Sequence, residues 1–295
     1  MEEGGFTLVG KKGRPCKAYR KDAVNAKAAR MMRTTNENGE AGGVVILPCD
    51  CECTDARIKS VNKRLTKAIS MLRTNGYWDA LKASLSASAA KAGQGNEFRE
   101  LVSYGIGNFC CTRVSLVQFA VFLLLKEEFC GPETKVSAYD PAFGDVCKGV
   151  CELRGVPVAE KDERAAHSCA EATLFYMPHC DLFMYENVIS ANWIKKEKEK
   201  EEEGKEEGKE EDKEEEEEEE ESECGYVDPR VTIVGNSLLS YIERFDSVAA
   251  KKNPHVASCE ASLVEAPIVF VPSSDSNSMN AFNNTSVHRF INKSN

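Results

Sequence analysis

Four short polar stretches each follow an apolar run. They are Gly105-Ile106-Gly107-Asn108 after "LVSY", Asp140-Pro141 after "KVSAY", Pro178-His179-Cys180 after "LFYM", and Gly235-Asn236-Ser237 after "VTIV". Glycines at 105 and 107 let a backbone approach a phosphate or a carboxylate, and the N-terminus of a following helix adds partial positive charge. An acidic residue at the end of the next strand, Asp140, can accept from a ligand hydroxyl. The dinucleotide fingerprint is incomplete, because the third glycine position is Cys110. Asp140 also stands about 33 residues beyond the glycines rather than the ~20 of that fingerprint. No Gly-Lys-Ser/Thr phosphate loop is present. The same residues serve equally in tight strand-to-helix packing and a capped turn.

"PHCD" puts a potential base beside a potential nucleophile. Neighbours on an extended chain point to opposite faces, so His179 and Cys180 do not form a direct dyad unless the loop turns. A lone histidine at a strand end also serves simply as a hydrogen-bonded structural residue. In "CDCEC", Cys49, Cys51 and Cys53 alternate and would face one side of an extended segment. Structural zinc sites use C-x₂₋₄-C pairs with a second pair elsewhere. The sequence shows no such second pair, and although Cys147 and Cys151 share a predicted helix face, nothing ties them to the cluster. No metal site, cofactor or catalytic residue is assigned.

The elements that must position these residues alternate. Ile58, Val61, Leu65, Ile69 and Leu72 recur at three- and four-residue steps and predict a helix from Asp55, broken at Asn75-Gly76. "YWDALKASLSASAAKA" resumes a helix to Gly93. Strands follow near 100–104, at "KVSAYD", briefly at "VPVAE", at "ATLFYMPHC" and at "RVTIVGNS". Helices follow at about 112–129, 144–154, "LFMYENVISANW" and "LLSYIERF". Strands alternating with helices predict an α/β fold with a Rossmann-like, mostly parallel sheet and flanking helices, preceded by a helical N-terminal segment. In such a sheet the loops after the strands gather on one edge, where ligands bind. Residues 6–9, "FTLV", predict a short strand. Residues 34–54 read as a loop, with "VVIL" a brief strand.

Charge is unevenly spread. Lys195 to Glu223 holds seven lysines and nineteen acidic residues, a net of −12 against −10 for the whole 295-residue chain. The pI of 5.2 therefore describes an insert. That insert, 195–224, lacks the apolar surface to offset ordering entropy and is expected to be disordered. Residues 1–54 read as a largely flexible arm, and its first 35 residues carry nine Lys or Arg against three acidic residues. Arm and insert are candidate docking segments for protein partners, and there is no specific nucleic-acid motif. No apolar run reaches the ~18–20 residues that cross a bilayer. The N-terminus lacks a signal-peptide pattern. An intracellular chain keeps its thirteen cysteines mostly as thiols.

The collinear order "VSYGIGNF", "QFAVFLLL", "AYDPAF", "LFYMPHC", "YENVISANW", "VGNSLLSY" and "AFNNTSVHRF" resembles the Sensitivity to Red Light Reduced (SRR1-like) family over about 101–290. Within 55–290, the charged run and the Gly- and Cys-rich "GDVCKGVCELRG" depart from the family's pattern, and 291–295 is a tail. The resemblance implies a regulatory protein associated with circadian clock input, clock-gene expression and haem biosynthesis, in cytoplasm and nucleus, with no reaction to carry over. Shared motif positions include Pro178, Asn192, Trp193 and Gly235. With the strand-end reading they nominate a pocket of Ser103, Gly105, Gly107, Asn108, Asp140, His179, Cys180, Asn236 and Ser237 for a nucleotide-like or haem-related small molecule. The alternatives are a nucleotide- or S-adenosylmethionine-dependent transferase, or a non-enzymatic scaffold.

Overall fold

A computed structural model describes residues 31–35, 41–46, 48, 50–196, 225–270, 282 and 284–292. The predicted strand at 6–9, most of the basic arm, Cys49 and the charged run 197–224 lie outside the described residues.

The chain first forms an antiparallel pair, β1 (Met31–Thr35) and β2 (Ala41–Ile46), where the sequence predicts mostly loop. Helix α1 (Asp55–Thr74) starts at Thr54, whose side chain accepts from the Arg57 amide. It buries Val61, Leu65, Ala68 and Leu72, one face at helical spacing. Asn75-Gly76 breaks the chain as expected, with Gly76 at φ +86°, before α2 (Tyr77–Ala92).

The sheet then builds from β3 (Glu100–Tyr104), β4 (Lys135–Tyr139), β5 (Thr173–Met177), β8 (Val231–Asn236), β9 (Leu263–Pro267) and β10 (Thr285–Phe290). Their spatial order is β4-β3-β5-β8-β10-β9. The first four run parallel, and β10 lies antiparallel to both β8 and β9. The "VPVAE" segment contributes one parallel bridge, Val158 to Ala138. The chain therefore moves from β3 outward to β4, then returns to the other side of β3 as β5, which makes a topological switch point between β3's two neighbours.

Helices cover both faces. On one lie α1, α2, α3 (Arg113–Phe129) and α4 (Asp145–Leu153). Every residue of α3 from Ser115 to Leu125 is buried, and Phe109, Phe119, Phe122 and Tyr176 stack from the glycine loop to β5. A Cβ on Gly149 would meet Ile58 Cδ1 at 2.6 Å, so this glycine permits the α1–α4 approach. The other face carries α5 (Leu182–Ala191), α6 (Leu238–Ile242) and α8 (Pro254–Ser258), with α7 (Ser247–Lys252) outside. Among the described residues no helix is long and apolar enough to cross a membrane.

Helix α5 ends two residues earlier than its pattern predicts. Asn192 Nδ2 donates to Val188 O and His167 O at 2.8 Å, and Asn192 Oδ1 accepts from the Cys169 backbone amide at 2.7 Å. The side chain thus takes over backbone groups and releases the chain into β6 (Trp193–Lys195). This strand pairs with β7 (Gly225–Val227), Lys195 opposite Gly225, and closes the base of the charged run.

On the α5 face, His167 is held between two carboxylates. Its Nε2 lies 3.1 Å from Glu100 and its Nδ1 3.1 Å from Glu163. Both nitrogens face acceptors, which favours the imidazolium. The Glu100 hydrogen bond is the largest cause raising the His167 pKa from 6.5 to about 9, against the opposing effect of burial.

Two outcomes follow from this architecture. Because β6 and β7 already bring the ends together, deleting 197–222 and joining them by a short turn leaves unfolding cooperative and stability within ~1 kcal/mol in urea titration. A broad, multi-step transition would show that the segment carries structure. The His167 contribution, of order 1–3 kcal/mol, is complete below pH 6.5 and disappears as pH rises through about 9. The stability difference between wild type and His167→Gln, measured across that window, should therefore shrink with rising pH; a constant difference would contradict the imidazolium clamp.

Candidate functional site

The candidate residues sit at the carboxyl edge of the parallel strands, and hydrogen bonds knit their loops together. Gly107 donates its amide to Asp140 Oδ2 at 2.6 Å, and Ala142 donates to Asp140 Oδ1 at 2.8 Å. The carboxylate after β4 thus holds the glycine loop after β3. Burial raises the Asp140 pKa, and the two amides partly offset that. Each carboxylate oxygen can accept more than one hydrogen bond, so these two amides do not exhaust its acceptor capacity.

The β3 and β5 loops interlock sterically. Gly105 has φ +71°, and a Cβ there would collide with Cys180 Sγ. Gly107 has φ +78°, and its Cβ would stand 2.7 Å from Ser115 Oγ. The Cys180 thiol donates to Tyr104 O at 3.3 Å, and Cys180 O accepts from Asn236 Nδ2 at 3.2 Å. Burial is the largest cause pushing the Cys180 thiol up, with Asp140 adding to it. At 4% exposure this is a packed thiol, poorly suited to nucleophilic work. His179 next to it is exposed, at φ +55°, a left-handed conformation uncommon for a residue other than glycine.

The structure brings Gly105, Gly107, Asp140, Cys180 and Asn236 together. Other nominated residues serve the scaffold. Ser103 is fully buried and donates to Tyr176 O at 3.0 Å. Ser237 caps α6 by accepting from the Ser240 amide. Asn236 also donates to Tyr241 Oη at 2.9 Å, and its amide donates to Tyr185 Oη, which in turn donates to Met177 O. Gly235 leaves room for that phenol, since a Cβ there would stand 2.6 Å from it. Pro178 is buried, Pro141 exposed and Trp193 half-buried in β6. Three surface clefts of about 270, 290 and 450 Å³ are lined by residues from 96–99, 126–136 and 148–158, and include none of the nominated residues.

Sequence reasoning missed three polar groups on β9 and β10. Glu265 accepts from the Leu239 amide and from Ser286 Oγ, and lies 3.3 Å from His288 Nε2. Although burial opposes it, the His288 contact and these hydrogen bonds leave its pKa lowered to about 2. This carboxylate occupies the N-terminal turn of α6, where a ligand anion was conceivable. Arg289, 2% exposed, donates to Ser88, Gln94 and Asn96 and lies over Phe98. Burial lowers its pKa to about 10. The signal available was "VHRF" itself, two basic residues in an otherwise strand-like run.

Sheet order, helices on both faces and a carboxyl-edge glycine loop tied to an acidic residue define a doubly wound α/β protein. The chain belongs to the SRR1 domain family, whose domain matches residues 67–289. It is 25% identical over 149 residues to the Arabidopsis thaliana protein Sensitivity to red light reduced 1, covering 49% of this chain and 54% of that protein. It is 31% identical over 144 residues to an SRR1-like protein of Mus musculus, covering 48% and 55%. A Drosophila melanogaster SRR1-like protein is 25% identical over 142 residues, covering 48% and 50%. The chain thus matches about half the length of these curated relatives. No solved structure matches.

The interlock of Gly105 with Cys180 is testable by a double-mutant cycle. Gly105→Ala should destabilise by about 1–3 kcal/mol, from its positive φ and the collision together. In a Cys180→Ala background the cost should fall, leaving only the backbone part. Strictly additive losses in urea would show that the two residues do not share that space.

Proposed function

We propose that the chain is a regulatory protein whose carboxyl-edge switch point receives a hydroxyl-bearing small molecule, nucleotide-like or haem-related. The observation that carries this reading is the Gly105–Gly107 loop, held open at positive φ and anchored by the buried Asp140 at the β3–β5 switch. Half-buried backbone at 105 and 107, the remaining acceptor capacity of Asp140, the half-buried Asn236 and the exposed His179 supply the polar groups such a ligand needs. Family membership supports the regulatory part of this reading, and the plant relative's name refers to red-light sensitivity; a place in circadian clock input and clock-gene expression is part of the proposal. Regulation of haem biosynthesis, and action in cytoplasm and nucleus, belong to the same proposal. Partners would dock on the basic arm or the charged run.

A transferase acting at the same edge is the second reading. It needs a base or nucleophile beside the ligand, and the raised pKa and burial of Cys180 speak against that residue.

Thermal unfolding with adenine nucleotides, S-adenosylmethionine and haem in turn decides between them. Ligand at ~100 Kd stabilises by about 2.7 kcal/mol, a rise of roughly 5–11 °C for a domain of this size. Asp140→Asn should lose that rise while keeping a cooperative transition. No shift with any of the three in wild type would overturn the small-molecule reading. Conversion of a bound ligand to product would move the chain to the transferase class.

A further inference from the structure

The loop after β3 carries a second cluster that the glycines and Asp140 do not use. Cys110 and Cys111 meet Cys51, which arrives from the segment before α1. Cys51 Sγ lies 3.2 Å from Cys111 Sγ, and Cys111 Sγ lies 3.5 Å from Cys110 Sγ. All three sulfurs fall within 4.8 Å of one another, the one such group of metal-ligating side chains among the described residues. Sulfurs bound at ~2.3 Å to a tetrahedral zinc stand roughly 3.8 Å apart, so small side-chain rotations suffice. Cys110 is buried, while Cys51 and Cys111 are half-buried and leave an entry path.

The surroundings suit thiolates. Arg57 and Arg64 of α1 both donate to Cys110 O, at 3.5 and 3.2 Å, and bring two positive charges to the cluster. The 17-residue helix α3 begins two residues beyond Cys111, with its positive end toward the thiols. Asn108 supplies an independent sign. It is 4% exposed, its Oδ1 accepts from Cys110 Sγ at 3.0 Å and from Cys147 Sγ at 3.6 Å, and its Nδ2 is buried with no partner. Turning the amide over directs Nδ2 at those sulfurs. That arrangement gains hydrogen bonds only when Cys110 is an acceptor, as a metal-bound thiolate is.

We propose that Cys51, Cys110 and Cys111 bind one Zn²⁺ as three thiolates, and so pin the segment before α1 to the glycine loop. Three S–H bonds break, three Zn–S bonds form and three protons pass to solvent, with no electron transferred. The site joins two thiols inside the family-matched region to one outside it.

The test uses the full chain, purified reduced, stripped with a chelator and titrated with Zn²⁺ alone. One equivalent should bind with release of protons, and Cys51 and Cys111 should become protected from alkylation, as mapped by peptide mass spectrometry. Co²⁺ in place of Zn²⁺ should give a thiolate-to-metal charge-transfer band. Cys51→Ser and Cys111→Ser should each weaken binding by more than the about 10–100-fold that loss of an outer-shell partner costs. Cys130→Ser, half-buried and outside the cluster, should leave it unchanged. Should either serine variant not fold, the alkylation map of the wild type decides alone. Zinc bound equally well by Cys51→Ser, no zinc bound by the reduced wild type, or a Cys51–Cys111 disulfide with no zinc affinity would each overturn the proposal.

Discussion

The buried Asp140 carboxylate accepting from the Gly107 and Ala142 amides is the contact on which the carboxyl edge depends. Two backbone N–H groups in a water-poor loop need acceptors, and leaving them unpaired costs about 1–3 kcal/mol each. One side chain satisfies both, and in doing so fixes the loop after β3 relative to the end of β4. With that loop set, Cys180 packs against Gly105, Asn236 reaches Cys180 O, and Tyr185 bridges Met177 O to the Asn236 amide. Four loops, spread along the chain from Gly105 to Asn236, thus form one hydrogen-bonded rim. Sterics set its tolerance, because the close contacts at Gly105, Gly107 and Gly235 leave no room for even a methyl group.

Beneath that rim the sheet divides its side chains strictly by face. Leu101, Leu174, Tyr176, Val234 and Val287 enter the layer under α1–α4, while Val102, Phe175, Met177, Ile233 and Phe290 enter the layer under α5, α6 and α8. Alternation of this kind in strands apolar on both faces is what a parallel sheet covered twice requires. The helix α3 is correspondingly apolar all round, since it lies between the sheet and α1. Its composition imitates a membrane segment, but the eleven residues from Ser115 to Leu125 are all buried in protein, and its charged ends, Arg113 and Glu127-Glu128, are exposed.

How much of this was legible depended on whether apolar pattern or polar partnership held each element. β3, β4, β5 and β8 stood out because each is a short apolar-rich run ending at a glycine, proline or aspartate. β10 did not, because His288 and Arg289 interrupt the pattern, and both are buried only through partners far along the chain: Glu265 and Ile233 for one, Ser88, Gln94 and Asn96 for the other. β6 and β7 are three residues each on either side of the charged run, too short for periodicity to register. The end of α5 was misplaced because Asn192 competes for backbone hydrogen bonds, a decision made by His167 and Cys169 rather than by its neighbours in sequence. At the site, the grouping of glycine loop, Asp140, Cys180 and Asn236 was readable from strand-end position alone. The thiol cluster was not, since "CDCEC" finds its partners 60 residues away and in the adjacent pair Cys110-Cys111, outside the C-x₂₋₄-C spacing typical of zinc sites.

The motif residues that identify the family therefore divide into two physical kinds. Ser103, Asn192, Gly235 and Ser237 have their polar groups or their lack of a side chain fully used within the fold, so their presence follows from the architecture and carries no information about a ligand. Gly105 and Gly107 also answer to packing, because Cys180 Sγ and Ser115 Oγ fill the space a Cβ would take. Asp140 is different, since a simple turn does not need a buried carboxylate whose ionised form burial disfavours. Holding that charge under the loop costs folding stability, which the two amides only partly offset. That cost falls at the topological switch point of the sheet, the edge at which the ligand is proposed to bind.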